Sequence, residues 1–228
     1  MQCKYSKEEI ESILTREKFE YQRVELPYGL HTSGQDRTKS LSIFFPDDFH
    51  GQSLLDIGCG IGFFCFEAEK RNAGRIVGIE AKETRYRQFL ILKDILGSKV
   101  EAVKCDFEKD GYTGEFDYIL LLNVTHHLKE PIQVMRRIAQ MTRKRFIMEF
   151  PTFKDRRYKK ETGIFWGSIY DRLPLIYVGS PSSPGVGQTY IFSPPAMHAI
   201  LMKHDKLYSL IRMIKSPIKG RMIAICDK

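Results

Sequence analysis

No run of apolar residues approaches the roughly 20 that a membrane-spanning helix needs, so the sequence predicts a chain without a membrane span. The opening residues, Met1-Gln2-Cys3-Lys4-Tyr5-Ser6-Lys7-Glu8-Glu9, are too charged for a secretory leader, and the expected location is the cytoplasm. The five cysteines, Cys3, Cys59, Cys65, Cys105 and Cys226, form no C-x-x-C pair and have no histidine at zinc-ligand spacing. That pattern gives no basis for a disulfide framework or a metal site and predicts buried, reduced thiols. Internal repeats, heptad runs and a recognisable appended RNA-binding module are also absent.

What is present is an ordinary globular composition: 228 residues, 43% apolar and 28% charged. That is long enough for one α/β domain to bury a full core without covalent staples. The net charge of +8 is unevenly placed. Residues 1–150 hold 23 basic and 23 acidic side chains, whereas residues 151–228 hold 13 and 5, which is the whole excess. A basic C-terminal third fits an anionic substrate or partner, and equally a solvated basic face.

Along the chain, Ser6 with Glu9 three residues later predicts a capped amphipathic helix over Ser6 to Phe19. Tyr21 to Leu26 alternates like a short edge strand, and Pro27 to Arg37 is a polar, glycine-punctuated loop that could cover a ligand. From residue 53 strands alternate with helices. Strands are expected at Ser53–Ile57, Arg75–Glu80, Val100–Lys104, Phe116–Leu122 and Arg145–Phe150, and helices at Phe63–Arg71, Glu83–Leu96 and Pro131–Met141. Near-continuous apolar strands between helices predict a parallel sheet covered on both faces, with ligands at the carboxyl ends of its strands. After Pro151 the alternation stops for some forty residues, and the Gly179 to Gly187 stretch is too rich in Gly, Pro and Ser for regular structure. A helix opening at Ser193-Pro194-Pro195 and running to about His204 comes next. Strands over Leu207–Ile214 and Arg221–Cys226 are close enough to form an antiparallel hairpin.

The motif at the centre of this pattern is Leu54-Leu55-Asp56-Ile57-Gly58-Cys59-Gly60-Ile61-Gly62-Phe63-Phe64: a buried strand, a tight glycine turn and a helix start. The turn is not the G-x-G-x-x-G of nicotinamide sites, and Asp56 stands where those sites keep an apolar residue. An acid just before the glycines repels a pyrophosphate. It suits a ligand that carries a positive group.

At these residues the chain resembles the class I S-adenosylmethionine-dependent methyltransferases, whose motifs run across residues 53–150. The resemblance implies a Rossmann-like, seven-stranded, mostly parallel sheet with the last strand inserted beside the fifth. It makes residues 1–228 a single methyltransferase domain: an N-terminal cover (1–50), a cofactor-binding core (51–150), a substrate lid (151–192) and a C-terminal helix and hairpin (193–228). It implies S-adenosyl-L-methionine as cofactor, with Asp56, Gly58, Cys59, Gly60 and Gly62 holding the methionine moiety. Glu80, 24 residues after Asp56, and its neighbour Ala81 would meet the ribose hydroxyls. Asp106 would accept from the adenine amine with Phe107 against the ring, and Asn123 to His127 would face the methyl group. Val24 to Gly34, ahead of Gly62 to Glu69, resembles the subgroup that includes the tRNA wobble-uridine (5-oxyacetate pathway) methyltransferases. Those enzymes read Tyr-His after the fourth strand, and that Tyr helps recognise a carboxylated cofactor. The chain has His126-His127 there, which implies the ordinary cofactor and plain methylation.

Methyl transfer to a hydroxyl needs alignment and a group to take the proton. The candidates are His126, His127 and His31; adjacent side chains point differently, so one of His126 and His127 is expected to face the cleft, and His126 is favoured. Substrate contacts are expected from Arg157, Trp166, Tyr170 and Tyr177, where basic residues interleave with aromatics beyond the fifth strand. The expected acceptor is a small or glycan-like molecule, with RNA as the alternative. A non-catalytic S-adenosylmethionine-binding subunit is the remaining reading. The oligomeric state is not legible in the sequence.

Overall fold

The computed structural model describes residues 4–155, 167–179, 190–203 and 207–228. The chain divides into two compact units, Met1–Tyr112 and Thr113–Lys228.

The first unit begins with α1 (Lys7–Glu17), where the Ser6 hydroxyl accepts from the Glu9 amide and the Glu9 carboxylate accepts from the Ser6 amide at 2.7 Å. This reciprocal pair satisfies two amides that the helix itself leaves open. The expected strand Tyr21–Leu26 is not formed. The chain instead doubles back on itself, with two isolated bridges, Gln22 to Gln35 and Glu25 to His31. The returning segment supplies backbone partners, with the Arg23 amide donating to the Gln35 carbonyl and the Thr32 amide to the Val24 carbonyl, both at 3.0 Å. The Thr32 hydroxyl, however, interrupts a regular ladder by donating to the Gln22 carbonyl at 2.6 Å and accepting from the Val24 amide at 2.8 Å. Gly34, at φ +120°, passes so close that a Cβ would lie 2.7 Å from the Gln22 nitrogen. The result is a strap of about twenty residues pinned by its own polar side chains.

After the short helix α2 (Leu41–Phe44), the alternating core follows as β1 (Leu54–Ile57), α3 (Phe63–Glu69), β2 (Ile76–Glu80), α4 (Glu83–Leu96), β3 (Glu101–Lys104) and the single-turn α5 (Phe107–Asp110). β1 pairs with β2 and β2 with β3, all parallel. Leu54, Leu55, Val77, Ile79, Phe64 and Phe89 are buried against this sheet. The helix α5 was not expected; Asp106 starts it by accepting from the amides of Glu108 and Lys109.

The second unit holds β4 (Phe116–Leu122), α6 (Pro131–Met141), β5 (Thr142–Pro151), α7 (Gly167–Tyr170), β6 (Ile176–Val178), β7 (Tyr190–Phe192), α8 (Pro194–Lys203), β8 (Leu210–Lys215) and β9 (Arg221–Asp227). β4 and β5 are parallel, and β9 runs antiparallel to both β5 and β8. β5 starts three residues earlier than expected because α6 ends directly into it, with the Thr142 hydroxyl donating to the Ile138 carbonyl at 2.7 Å. β6 and β7 pair as a separate small sheet that was not legible from composition. Together β1 to β5, β8 and β9 make the seven-stranded, mostly parallel, Rossmann-like sheet with a C-terminal antiparallel hairpin. Cys59, Cys65, Cys105 and Cys226 are free and buried, while Cys3 lies outside the described residues. Among the described residues no helix is long and apolar enough to cross a membrane.

A buried ion pair ties β5 to β9. Arg221 Nη1 donates to Glu149 Oε2 at 3.1 Å, the Ser216 hydroxyl donates to Glu149 Oε1 at 2.6 Å, and Arg221 Nε lies 4.0 Å from Asp155. Glu149 is fully buried, so removing one partner strands charge in a low dielectric. Arg221→Ala is expected to lower the unfolding free energy by about 3 kcal/mol, measured by urea denaturation. A loss under about 1 kcal/mol, the range of an exposed pair, would contradict a structural role for this pair.

Candidate active site

Within the first unit, Gly58, Gly60 and Gly62 all have positive φ, at 74°, 65° and 91°. The amides of Gly58 and Cys59 both donate to the Ile79 carbonyl, at 2.8 and 3.0 Å, so β2 directs the turn that leaves β1. The Gly60 amide donates to Glu80 Oε2 at 2.9 Å, and the Lys82 amide to Oε1 at 2.8 Å. Glu80 thus links the turn to the start of α4. Ala81 is exposed beside it.

Asp56 is 1% exposed. Burial, and next the negative charge of Glu80, push its carboxyl up to about 7, against smaller opposing contributions from the Cys65 thiol and the Arg37 guanidinium. Cys59 is buried in the turn, and burial raises its thiol well above the usual range. Asp106 caps α5 and pairs with Lys109 at 2.9 Å; burial pushes its carboxyl up, but the Lys109 contacts outweigh this and hold it below the ordinary range. Phe107 is buried in the first turn of that helix. His31 is exposed on the strap, its Nδ1 3.1 Å from the Thr32 carbonyl.

Two residues of the strap were missed. Gln22 is buried and its Oε1 accepts from the Ile61 amide at 3.3 Å. Arg37 is 7% exposed, with its guanidinium 5.3 Å from the Phe64 ring centroid. The polar residues of this loop look like solvent-facing positions in a sequence; only a buried arginine in place marks one as part of the acidic corner.

In the second unit, Asn123 follows β4 in the left-handed conformation, φ 61°, and its amide donates to the Glu149 carbonyl at 2.7 Å. Its Oδ1 and the Thr125 Oγ1 are buried with no hydrogen-bond partner among the described residues. His126 is buried and His127 exposed, their ring centroids 4.0 Å apart. Tyr170 and Tyr177 are half-buried against the apolar pair Phe153 and Ile191. Asp171 anchors that segment by accepting from the Thr152 hydroxyl and the Phe153 amide, and burial raises its carboxyl despite those bonds. Arg157 and Trp166 lie outside the described residues.

A family model described as a methyltransferase domain matches residues 33–183, about two-thirds of the chain. The chain belongs to the methyltransferase domain family. Its fold is that of the solved S-adenosylmethionine-dependent methyltransferases it resembles. Among solved methyltransferase folds, the N-terminal domain of EvdMO1, crystallised with S-adenosylhomocysteine and D-fucose, superposes with TM-score 0.71 at 15% identity, covering 98% of this chain and 97% of that one. The magnesium protoporphyrin IX methyltransferase of Synechocystis PCC 6803, with S-adenosylhomocysteine bound, gives TM-score 0.56 at 18% identity over 78% and 74% of the two chains. The tRNA U34 carboxymethyltransferase of Campylobacter lari is 22% identical over 137 residues, 58% of this chain and 46% of that protein. The chain thus spans under half the length of the curated methyltransferases it matches.

The raised Asp56 carboxyl sets a pH dependence for the ligand-free methyltransferase. Between its ordinary value of 3.8 and about 7 the folded protein keeps a proton that the unfolded chain has released, so stability falls as pH rises through that window and is level above it. Asp56→Asn removes this slope. The stability of the wild type relative to Asp56→Asn is expected to drop by up to about 4 kcal/mol between pH 4 and pH 7, read by urea denaturation at each pH; a flat difference would contradict the burial of an ionisable group here.

Proposed function

We propose that the chain transfers a methyl group from S-adenosylmethionine to a hydroxyl of a small, sugar-like and anionic acceptor, with His126 as the base. The donor would be held by Asp56, the turn Gly58, Cys59, Gly60 and Gly62, and by Glu80, Ala81, Asp106, Phe107 and Asn123. The residues present fit it: Asp56 and Glu80 are two buried carboxylates whose desolvation and mutual repulsion a cationic group relieves and a phosphate would worsen. When bound, the donor supplies an activated methyl group with a good leaving group already attached.

The observation that carries the acceptor chemistry is the polar group after β4. Asn123 Oδ1 and Thr125 Oγ1 are buried oxygens without partners among the described residues, and such atoms cost free energy unless a ligand hydrogen-bonds to them. A hydroxylated acceptor offers donors to both. His126, next in the chain and buried, would take the hydroxyl proton out of contact with water. Tyr170 and Tyr177 supply apolar edges for a sugar ring, and Arg157 and Trp166 complete the substrate contacts in this reading. The whole-length likeness to a domain crystallised with D-fucose agrees with it.

An RNA acceptor is the second reading. It is supported by the curated tRNA U34 carboxymethyltransferase relatives and by the basic C-terminal third. The chain with methyl-labelled S-adenosylmethionine, offered free and nucleotide-linked sugars in one arm and total tRNA in the other, separates the two. Label in the sugar fraction is the expected result; label in tRNA alone overturns the sugar reading, and none in any acceptor favours a donor-binding subunit without catalysis.

For the base, His126→Ala is expected to lower turnover on the labelled acceptor by about 100-fold and leave donor affinity within about twofold. The exposed His127→Ala serves as the control. Unchanged turnover in His126→Ala would remove it from the mechanism.

A further inference from the structure

Tyr21 lies half-buried on the strap that follows α1, and its ring rests on the middle glycine of the turn. A Cβ built on Gly60 would come 2.5 Å from Tyr21 Cε1 and 2.8 Å from Cδ1. The Arg85 guanidinium, from the first turn of α4, stacks on the same ring 3.9 Å from its centroid. Gly60 is the residue whose amide Glu80 holds, and Glu80 also accepts from Lys82 at the entry to α4. The ring is therefore fixed by two elements that converge on one carboxylate. Beside it, Gln22 accepts from the next amide of the turn, Ile61, and the backbone underneath is pinned by Thr32 and by the close passage of Gly34.

We propose that Tyr21 is a donor-site residue: its ring walls the turn at Gly60 and, stacked with Arg85, keeps the strap closed over the bound donor. This rests on the reading of the turn as the S-adenosylmethionine site. An aromatic ring gives the donor an apolar wall without competing for the hydrogen bonds of Glu80. The stacked guanidinium holds the ring in place by cation–π attraction, so the wall stands before the ligand arrives and little ordering cost is left for binding. Strap opening then limits how fast the demethylated product leaves. The arrangement also accounts for a bare Gly60, since any side chain there would displace the ring.

The test is binding of S-adenosylhomocysteine to the full chain by calorimetry, with dissociation followed by stopped flow and strap protection by hydrogen exchange. Tyr21→Ala is expected to weaken binding about tenfold, mostly through faster dissociation, and to abolish the ligand-induced protection of residues 19–37. Tyr21→Phe, which keeps the ring, is expected to stay within about twofold, and Arg85→Ala, on a different element, to weaken binding about threefold. Wild-type affinity, dissociation rate and protection in Tyr21→Ala would overturn the proposal while leaving the donor site standing. Should Tyr21→Ala not fold, wild-type affinity and dissociation rate in Arg85→Ala overturn it equally. Failure of the wild type itself to bind S-adenosylhomocysteine would instead overturn the donor-site reading, and the role of Tyr21 with it.

Discussion

Two carboxylates share one buried corner of the first unit, and that constraint organises what surrounds it. The register of β1 against β2 pairs Asp56 with Gly78 and Ile57 with Ile79, which leaves Asp56 and Glu80 at neighbouring strand ends with almost no water. Each solves the problem differently. Glu80 spends its oxygens on two backbone amides and so shapes the turn. Asp56 has a cysteine thiol at 3.9 Å and the opposing charge of Arg37, and holds its proton toward neutrality. A protein built only for stability would place apolar side chains here. Keeping the acids costs stability in the free protein, a cost that a bound cation would offset in the proposed donor site.

Much of this was legible because it follows from local chemistry. The glycine turn, the acids at strand ends, the capping box at Ser6 and the helices Glu83–Leu96 and Pro131–Met141 each rest on spacing or on a residue type with one conformational use. The strap was not legible for the opposite reason. Its alternating residues satisfy the pattern of a strand, but the Thr32 hydroxyl bonds both to Gln22 and to Val24, and a hydroxyl that interrupts a ladder leaves no trace in hydrophobic periodicity. Gln22, Arg37 and the pair Glu149–Arg221 are polar residues whose burial is decided by contacts 19 to 72 positions away. Composition sees them as surface. The small sheet of β6 and β7 is hidden in the same way, since only its distant partner makes Ile176–Val178 a strand.

In the second unit the polar chemistry hangs on a backbone irregularity. Asn123 tolerates the left-handed conformation because its short amide side chain carries little steric penalty there, and the conformation turns the chain sharply at the end of β4. That turn buries Thr125 and His126 and leaves His127 in solvent, so two identical neighbours acquire different environments. Adjacent histidines in a sequence carry no such distinction.

The link from Asn123 to Glu149 has a consequence for how the protein is made. The amide of Asn123 bonds to the carbonyl of Glu149, whose side chain takes its partners from Ser216 and Arg221. On a ribosome those two residues emerge nearly a hundred positions after Asn123. The acid-lined corner of the first unit takes its hydrogen bonds from residues made early, whereas the buried Glu149 side chain gains its partners only once β9 has been translated and inserted beside β5. The buried polar groups of the two units are thus completed at different times during biosynthesis: the corner with Asp56 and Glu80 draws on residues made early, and the Glu149–Arg221 pair is among the last contacts to form.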